Sequence, residues 1–266
     1  MNNVRASVAA VGALAVLALV VGVVAWWQSS TFGAGVQSPA IGEGPALTLS
    51  SLDALDEQVI KAIGQGDAVM LAAALDEGAD PNAQSSPGRP ALYLAARRGN
   101  PTAVRLLIDA GADIHADTVN GPVLITAAYE GQREIVEMLL DAGAEINGTG
   151  SLWSEDDTAL MAAADRGYLD IVELLIERGA TINQLNSHGE TALHSATGQG
   201  RPQLVRLLLE NGADVDRQLT LPYEIWAAGS TPLHLAAHMG YGPREGSLEV
   251  ARILIEHGAA LDLEDE

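Results

Sequence analysis

Beyond residue 52, apolar residues recur in short bursts with helical spacing. In "YLDIVELLIERG", Ile171, Val172, Leu174 and Leu175 fall at i, i+1, i+3 and i+4, the stripe of a helix with one buried face. A Gly-Ala pair closes each burst, usually followed by an acidic residue, an apolar residue and Asn, Asp or His. The pattern appears as Gly78-Ala79-Asp80-Pro81-Asn82, Gly111-Ala112-Asp113-Ile114-His115 and Gly143-Ala144-Glu145-Ile146-Asn147. It returns as Gly179-Ala180-Thr181-Ile182-Asn183, Gly212-Ala213-Asp214-Val215-Asp216 and Gly258-Ala259-Ala260-Leu261-Asp262. The first glycines are 33, 32, 36, 33 and 46 residues apart. A second glycine stands 12 residues before each of the first five (Gly66, Gly99, Gly131, Gly167, Gly200), and Gly240 stands 18 before the sixth. A fixed period near 33 predicts stacked supersecondary units, each of two helices, rather than one globular core.

Punctuation marks the helix ends. Thr158, Thr191 and Thr231 are placed to cap first helices, Pro232 sits at a first helical position, and Pro90 and Pro122 precede theirs. Glycines after each helix suit a left-handed cap. Alanine pairs such as Ala95-Ala96 and Ala162-Ala163 let neighbouring helices approach closely.

The N-terminal pattern is different. Ala6 to Trp27 is a 22-residue run whose only polar side chain is Ser7. As a helix it would be roughly 33 Å long, enough to cross a hydrocarbon core of about 30 Å. Arg5 precedes the run, Trp26 and Trp27 close it, and the next basic residue is Lys61. These features predict residues 1–5 in the cytoplasm, 6–27 as a transmembrane anchor and the rest outside. A cleavable signal peptide ending at Val23-Val24-Ala25 is the alternative. Residues 28–52, rich in Gly, Ser, Pro and Ala, read as a flexible linker before a repeat domain over 53–266.

Composition sharpens this division. The chain has 14 Lys+Arg against 35 Asp+Glu, a net charge of −21, all of it beyond residue 52. Such a charge excludes the phosphate-neutralising surface of a nucleic-acid binder. With no cysteine, thiol chemistry, disulfides and Cys-bound metals are excluded. Signatures such as HExxH, GxSxG and GxxxxGK[ST] are absent. His238 and His257 form at most a two-ligand pair, and Glu155-Asp156-Asp157 lacks the spacing of a calcium loop, Asp157 suiting a helix cap instead. No cofactor or metal is implied, and the fold class is all-α.

"STPLHLAAHMG" (230–240) and "ETALHSATGQG" (190–200) resemble the opening of an ankyrin repeat, and "AVRLLIDAGADIHA" and "IVELLIERGATIN" its second half. The resemblance covers residues 53–266 as six units. The first departs from the pattern, with Asp56, Glu57, Gln58 and Lys61 in place of the Thr-Pro-Leu-His opening, as suits a polar terminal cap. It implies a solenoid with β-turn fingers, a protein-binding rather than catalytic role, and a structural place for Thr191 with His194 and for Thr231, Pro232 and His234.

Two fingers exceed the period: "GTGSLWSEDD" (148–157) and "QLTLPYEIWAAG" (218–229). They carry Leu152, Trp153, Leu221, Tyr223, Ile225 and Trp226, aromatic and aliphatic anchors that the repeat core does not require. With His115 on another finger and Tyr93 on a first helix, these are the candidate contacts; self-packing of the fingers is the alternative. "YGPREG" (241–246) reads as a loop extension on the opposite edge. Asn147-Gly148-Thr149 matches a glycosylation sequon, but Asn147 also fills the repeat's own Asn position. An Ala- and Arg-rich chain with one lysine fits a GC-rich bacterial genome, making the outer compartment the periplasm. The expected partner is a protein, with a basic one favoured by the acidic excess, and the expected state is a monomer. The roles left open are an immunity-type inhibitor, a scaffold and, from another class, an envelope hydrolase using finger carboxylates.

Overall fold

Helices form where the glycine and capping signals predict them, and they stack in pairs along one direction. The computed structural model describes residues 49–85, 88–116, 118, 121–151, 156–221, 227–237 and 246–261. These belong to a compact unit spanning Leu47–Glu266. The apolar run 6–27 lies outside the described residues. Among the described residues, no helix is long and apolar enough to cross a membrane.

Twelve helices are described. The first pair is α1 (Leu49–Gln65) and α2 (Ala68–Asp76), followed by α3 (Ala91–Arg97) and α4 (Pro101–Asp109), then α5 (Val123–Tyr129) and α6 (Arg133–Asp141). The later pairs are α7 (Ala159–Arg166) and α8 (Leu169–Glu177), α9 (Ala192–Gly198) and α10 (Pro202–Glu210), and α11 (Pro232–Ala237) and α12 (Ser247–Glu256). The opening helix already runs from Leu49, inside the stretch read as linker. It buries Leu55, Val59, Ala62 and Ile63 and exposes Glu57, Gln58 and Lys61, the one-sided pattern of a terminal cap.

Each first helix packs against the first helices before and after it, so α5 lies between α3 and α7, and α9 between α7 and α11. Contact on both sides leaves no room for an exposed stripe. Ala91–Ala96, Val123–Ala128, Ala159–Ala164 and Ala192–Thr197 are all buried. Second helices keep the amphipathic pattern: in α6, Ile135, Val136 and Leu139 are buried while Arg133 and Glu134 are exposed. Asp67 caps α2 by accepting from Val69 N and Met70 N, Asn100 caps α4 through Ala103 N, and Thr158 caps α7 through Met161 N at 3.2 Å.

A ladder of side-chain acceptors ties each repeat to the next. Asp56 Oδ1 accepts from Asp80 N at 2.8 Å, Asn82 Oδ1 from Asp113 N at 2.7 Å and Asn147 Oδ1 from Thr181 N at 2.8 Å. Asn183 Oδ1 accepts from Asp214 N at 2.8 Å and Asp216 Oδ1 from Ala260 N at 2.9 Å. The fifth position of the Gly-Ala motif therefore reaches the third position of the following one. Because Asn147 is engaged in this bond, its sequon coincides with a structural role.

Candidate functional site

The fingers are built from short antiparallel turns on one edge of the stack. β1 (Gln84–Ser85) pairs with β2 (Arg89–Pro90), and β3 (Thr149–Gly150) with β4 (Asp157–Thr158). The sixth finger closes when Leu219 N donates to Ser230 O at 2.9 Å and Gly229 N to Leu219 O at 2.8 Å. Both lengthened fingers thus have locked bases, and each base rests on the finger before it. Gly121 touches Gly150 at the foot of the fourth finger. Thr220 N and Leu221 N both donate to His188 O, at 2.8 and 3.3 Å.

The sequence-predicted contacts divide into three groups. Leu152, Trp153, Tyr223, Ile225 and Trp226 lie outside the described residues, as do His238 and most of the 241–246 extension. Leu221 is 52% exposed at the base of the sixth finger, and His115 is exposed on the third. Tyr93 must be corrected: it is only 2% exposed, because α3 is enclosed by its neighbours, and it is part of the core. Of the finger carboxylates, Asp156 accepts from Thr149 Oγ1, while Asp157 is buried and accepts from Asn186 Nδ2. The cap role expected of Asp157 therefore falls to Thr158, whose shorter side chain reaches the Met161 N–H.

The Thr-x-x-His boxes take the structural role that the resemblance implies. His194 Nδ1 accepts from Thr191 N at 3.2 Å and lies 2.9 Å from Thr191 Oγ1; Thr231 and His234 repeat this geometry. With Nδ1 accepting, the neutral His194 ring carries its proton on Nε2, where no acceptor has full hydrogen-bond geometry although the carbonyls of Arg217 and Ser230 lie close. Burial pushes the imidazole down to about 4, only partly opposed by those carbonyls.

Sequence reasoning missed a polar cluster where the fourth and fifth fingers meet. Asn186 Nδ2 donates to Asp157 Oδ1 at 2.9 Å and to Glu190 Oε2 at 3.2 Å, and Ser195 Oγ donates to Glu190 Oε1 at 3.1 Å. Burial pushes the Glu190 carboxyl up to about 7. Its bonds from Asn186 and Ser195 oppose the shift, and the nearby charges of Asp157 and Asp165 add to it. The available signal was register: Asp157 and Glu190 each immediately precede the capping Thr of their own repeat.

The far ends of the first helices form a second polar row. Arg97 Nε lies 3.9 Å from Glu130, the Arg166 guanidinium sits 4.9 Å from the centre of the Tyr129 ring, and Gln199 Nε2 donates to Asp165 at 2.6 Å. Among the described residues, no group of three or more His, Asp or Glu side chains is arranged to hold a metal ion.

A family profile described as ankyrin repeats (3 copies) matches residues 59–150 and 148–219, and one described as ankyrin repeat matches 228–266. Among solved structures, the chain is similar to the human ASB11 ankyrin repeat domain. The match has 25% identity and a TM-score of 0.65, and covers 78% of this chain and 86% of that one. No curated protein matches the chain.

Proposed function

The chain belongs to the ankyrin-repeat family, whose members are protein-interaction modules, and from this premise we propose that it is a membrane-tethered binding protein of the bacterial periplasm. In this reading the run from Ala6 to Trp27 anchors the chain and the segment from 28 up to the first helix holds the repeats away from the bilayer. The fingers grip one protein partner and hold it, as an inhibitor or an assembly scaffold. The observation that carries the reading is the pair of lengthened fingers. Their bases are fixed to neighbouring turns, while the sequence between those bases carries Leu152, Trp153, Tyr223, Ile225 and Trp226 beyond anything the repeat period needs. Acidic side chains distributed through the repeats favour a basic partner by steering its approach.

The test uses the full chain, solubilised from membranes and immobilised, with an envelope extract as the source of partner. Trp153→Ala with Trp226→Ala is expected to weaken capture at least tenfold, the loss of a hot spot of about 2 kcal/mol, while leaving the melting temperature within a degree or two. The association rate is expected to fall as salt rises. Unchanged capture with a lowered melting temperature would instead assign the two tryptophans to self-packing.

A further inference from the structure

The inter-repeat ladder has one missing rung. Five junctions are closed by Asp56, Asn82, Asn147, Asn183 or Asp216, each accepting the N–H of the third residue in the next Gly-Ala motif. At the junction between the second and third of these motifs, the equivalent residue is His115 and the equivalent donor is Glu145 N. No acceptor engages Glu145 N among the described residues. The His115 backbone N–H turns back to Asp113 Oδ1 at 2.9 Å, as Asn82 N does to Asp80 Oδ1 at an intact rung, and the His115 side chain is exposed. At this gap the surface opens into a pocket of about 320 Å³, lined by Ile114, His115, Pro122, Glu145, Asn147 and Thr149 among others.

A later junction shows what chemistry fills such a place. Asn183 uses both ends of its carboxamide: Oδ1 accepts from Asp214 N at 2.8 Å and Nδ2 donates to Gly212 O at 2.9 Å. The same two backbone groups in the open junction are Glu145 N and Gly143 O, and neither has a partner among the described residues. We propose that the pocket between His115 and Thr149 receives the side-chain carboxamide of an asparagine on the partner protein. That asparagine would supply from outside the rung that His115 does not make. An amide fits better than a carboxylate for two reasons. It alone has a donor for Gly143 O, and the Glu145 carboxylate in the pocket wall repels a second negative charge. Ile114, Pro122 and Ala144 supply apolar wall for the Cβ of the incoming residue. The pocket lies at the foot of the lengthened fourth finger, next to the locked pair Thr149–Gly150. An asparagine seated there would therefore fix the partner's register against that finger.

The inference rests on the protein-binding reading, but its test needs no partner. Blocked asparagine (N-acetyl-asparagine N-methylamide) is titrated into nitrogen-labelled full chain in mild detergent while backbone amide resonances are followed. The expected result is a saturable shift of the Glu145 amide, with none from the blocked alanine analogue. His115→Asn, which places an amide on the chain itself, should abolish the shift. It should also raise the melting temperature by about 2–4 °C as the rung closes internally. No shift in the wild type, an equal shift with blocked alanine or blocked aspartate, or a shift that persists in His115→Asn would each overturn the proposal. Those results leave partner capture by the tryptophan fingers untouched, and loss of that capture leaves the titration readable.

Discussion

Glu190→Gln is expected to be more stable than the wild type above pH 7, by about 2–3 kcal/mol, and no different from it below pH 4. In the wild type, the Glu190 carboxyl is raised from 4.5 when unfolded to about 7 when folded, chiefly by burial. Below 4.5 both states are protonated and no penalty exists. As pH rises through the window from 4.5 to 7, the unfolded carboxyl ionises first and stability falls; above 7 the full penalty is present. Glutamine stays neutral throughout. It can still present its carbonyl oxygen to Asn186 Nδ2 and its amide to Ser195 Oγ, the two partners of the carboxyl. His194 supplies an internal control of opposite sign. Its imidazole is lowered from 6.5 to about 4, so its contribution is complete above 6.5 and is lost as pH falls toward 4. In the wild type these two slopes oppose each other between pH 4.5 and 6.5. In the variant the His194 slope is uncovered, so its stability should rise from pH 4 to 6.5 and then flatten. Denaturant melts of both proteins at five or six pH values would decide this, and identical curves would refute the assignment of a largely desolvated, reluctantly charged Glu190.

The second large effect is expected at Gly121. Its φ is +85°, a region that costs an L-residue about 1–2 kcal/mol. An added Cβ would also run into the backbone of the fourth finger, meeting Thr149 O at 3.1 Å and Gly150 N at 3.3 Å as well as Gly150 Cα. Neither strand residue can yield without opening the Thr149–Gly150 pairing with Asp157–Thr158. Overpacking of this kind adds about 1–3 kcal/mol, so Gly121→Ala should lose about 2–5 kcal/mol in total. Gly111 has the same hand of backbone, at φ +88°, but open space around its missing Cβ. Gly111→Ala should therefore lose only about 1–2 kcal/mol. A comparable loss at both positions would mean that finger contact contributes nothing.

The contrast between these glycines shows where sequence reading reaches its limit. Period and helix punctuation are local properties, so the paired helices, their threonine caps and their left-handed glycines follow from the chain itself. Gly66, Gly99, Gly131, Gly167 and Gly200 all take positive φ, as their spacing predicts. Whether a glycine also marks a backbone approach depends on a residue one repeat away, as Gly150 is from Gly121. The Glu190 cluster is hidden for the same reason, since Asp157 and Asn186 come together only through stacking. Tyr93 illustrates the opposite error: an aromatic side chain suggests a contact surface, but the helices on either side of α3 enclose it. Sequence marks His115 only by its place on a finger. Its importance lies in the bond it fails to make, which only the five intact rungs reveal.

The ladder also has a direction. Every rung joins an acceptor in an earlier repeat to a donor in a later one, from Asp56 and Asp80 to Asp216 and Ala260. A repeat leaving the ribosome therefore meets an acceptor already held by the folded repeat before it. Trimming from the C-terminus leaves side-chain acceptors at the new edge and trimming from the N-terminus leaves backbone N–H groups, and water can satisfy either in these exposed turns. Among the described residues, the seam at Glu145 is the one junction where an arriving repeat finds no such receptor, so its docking there lacks a hydrogen bond that the other five supply.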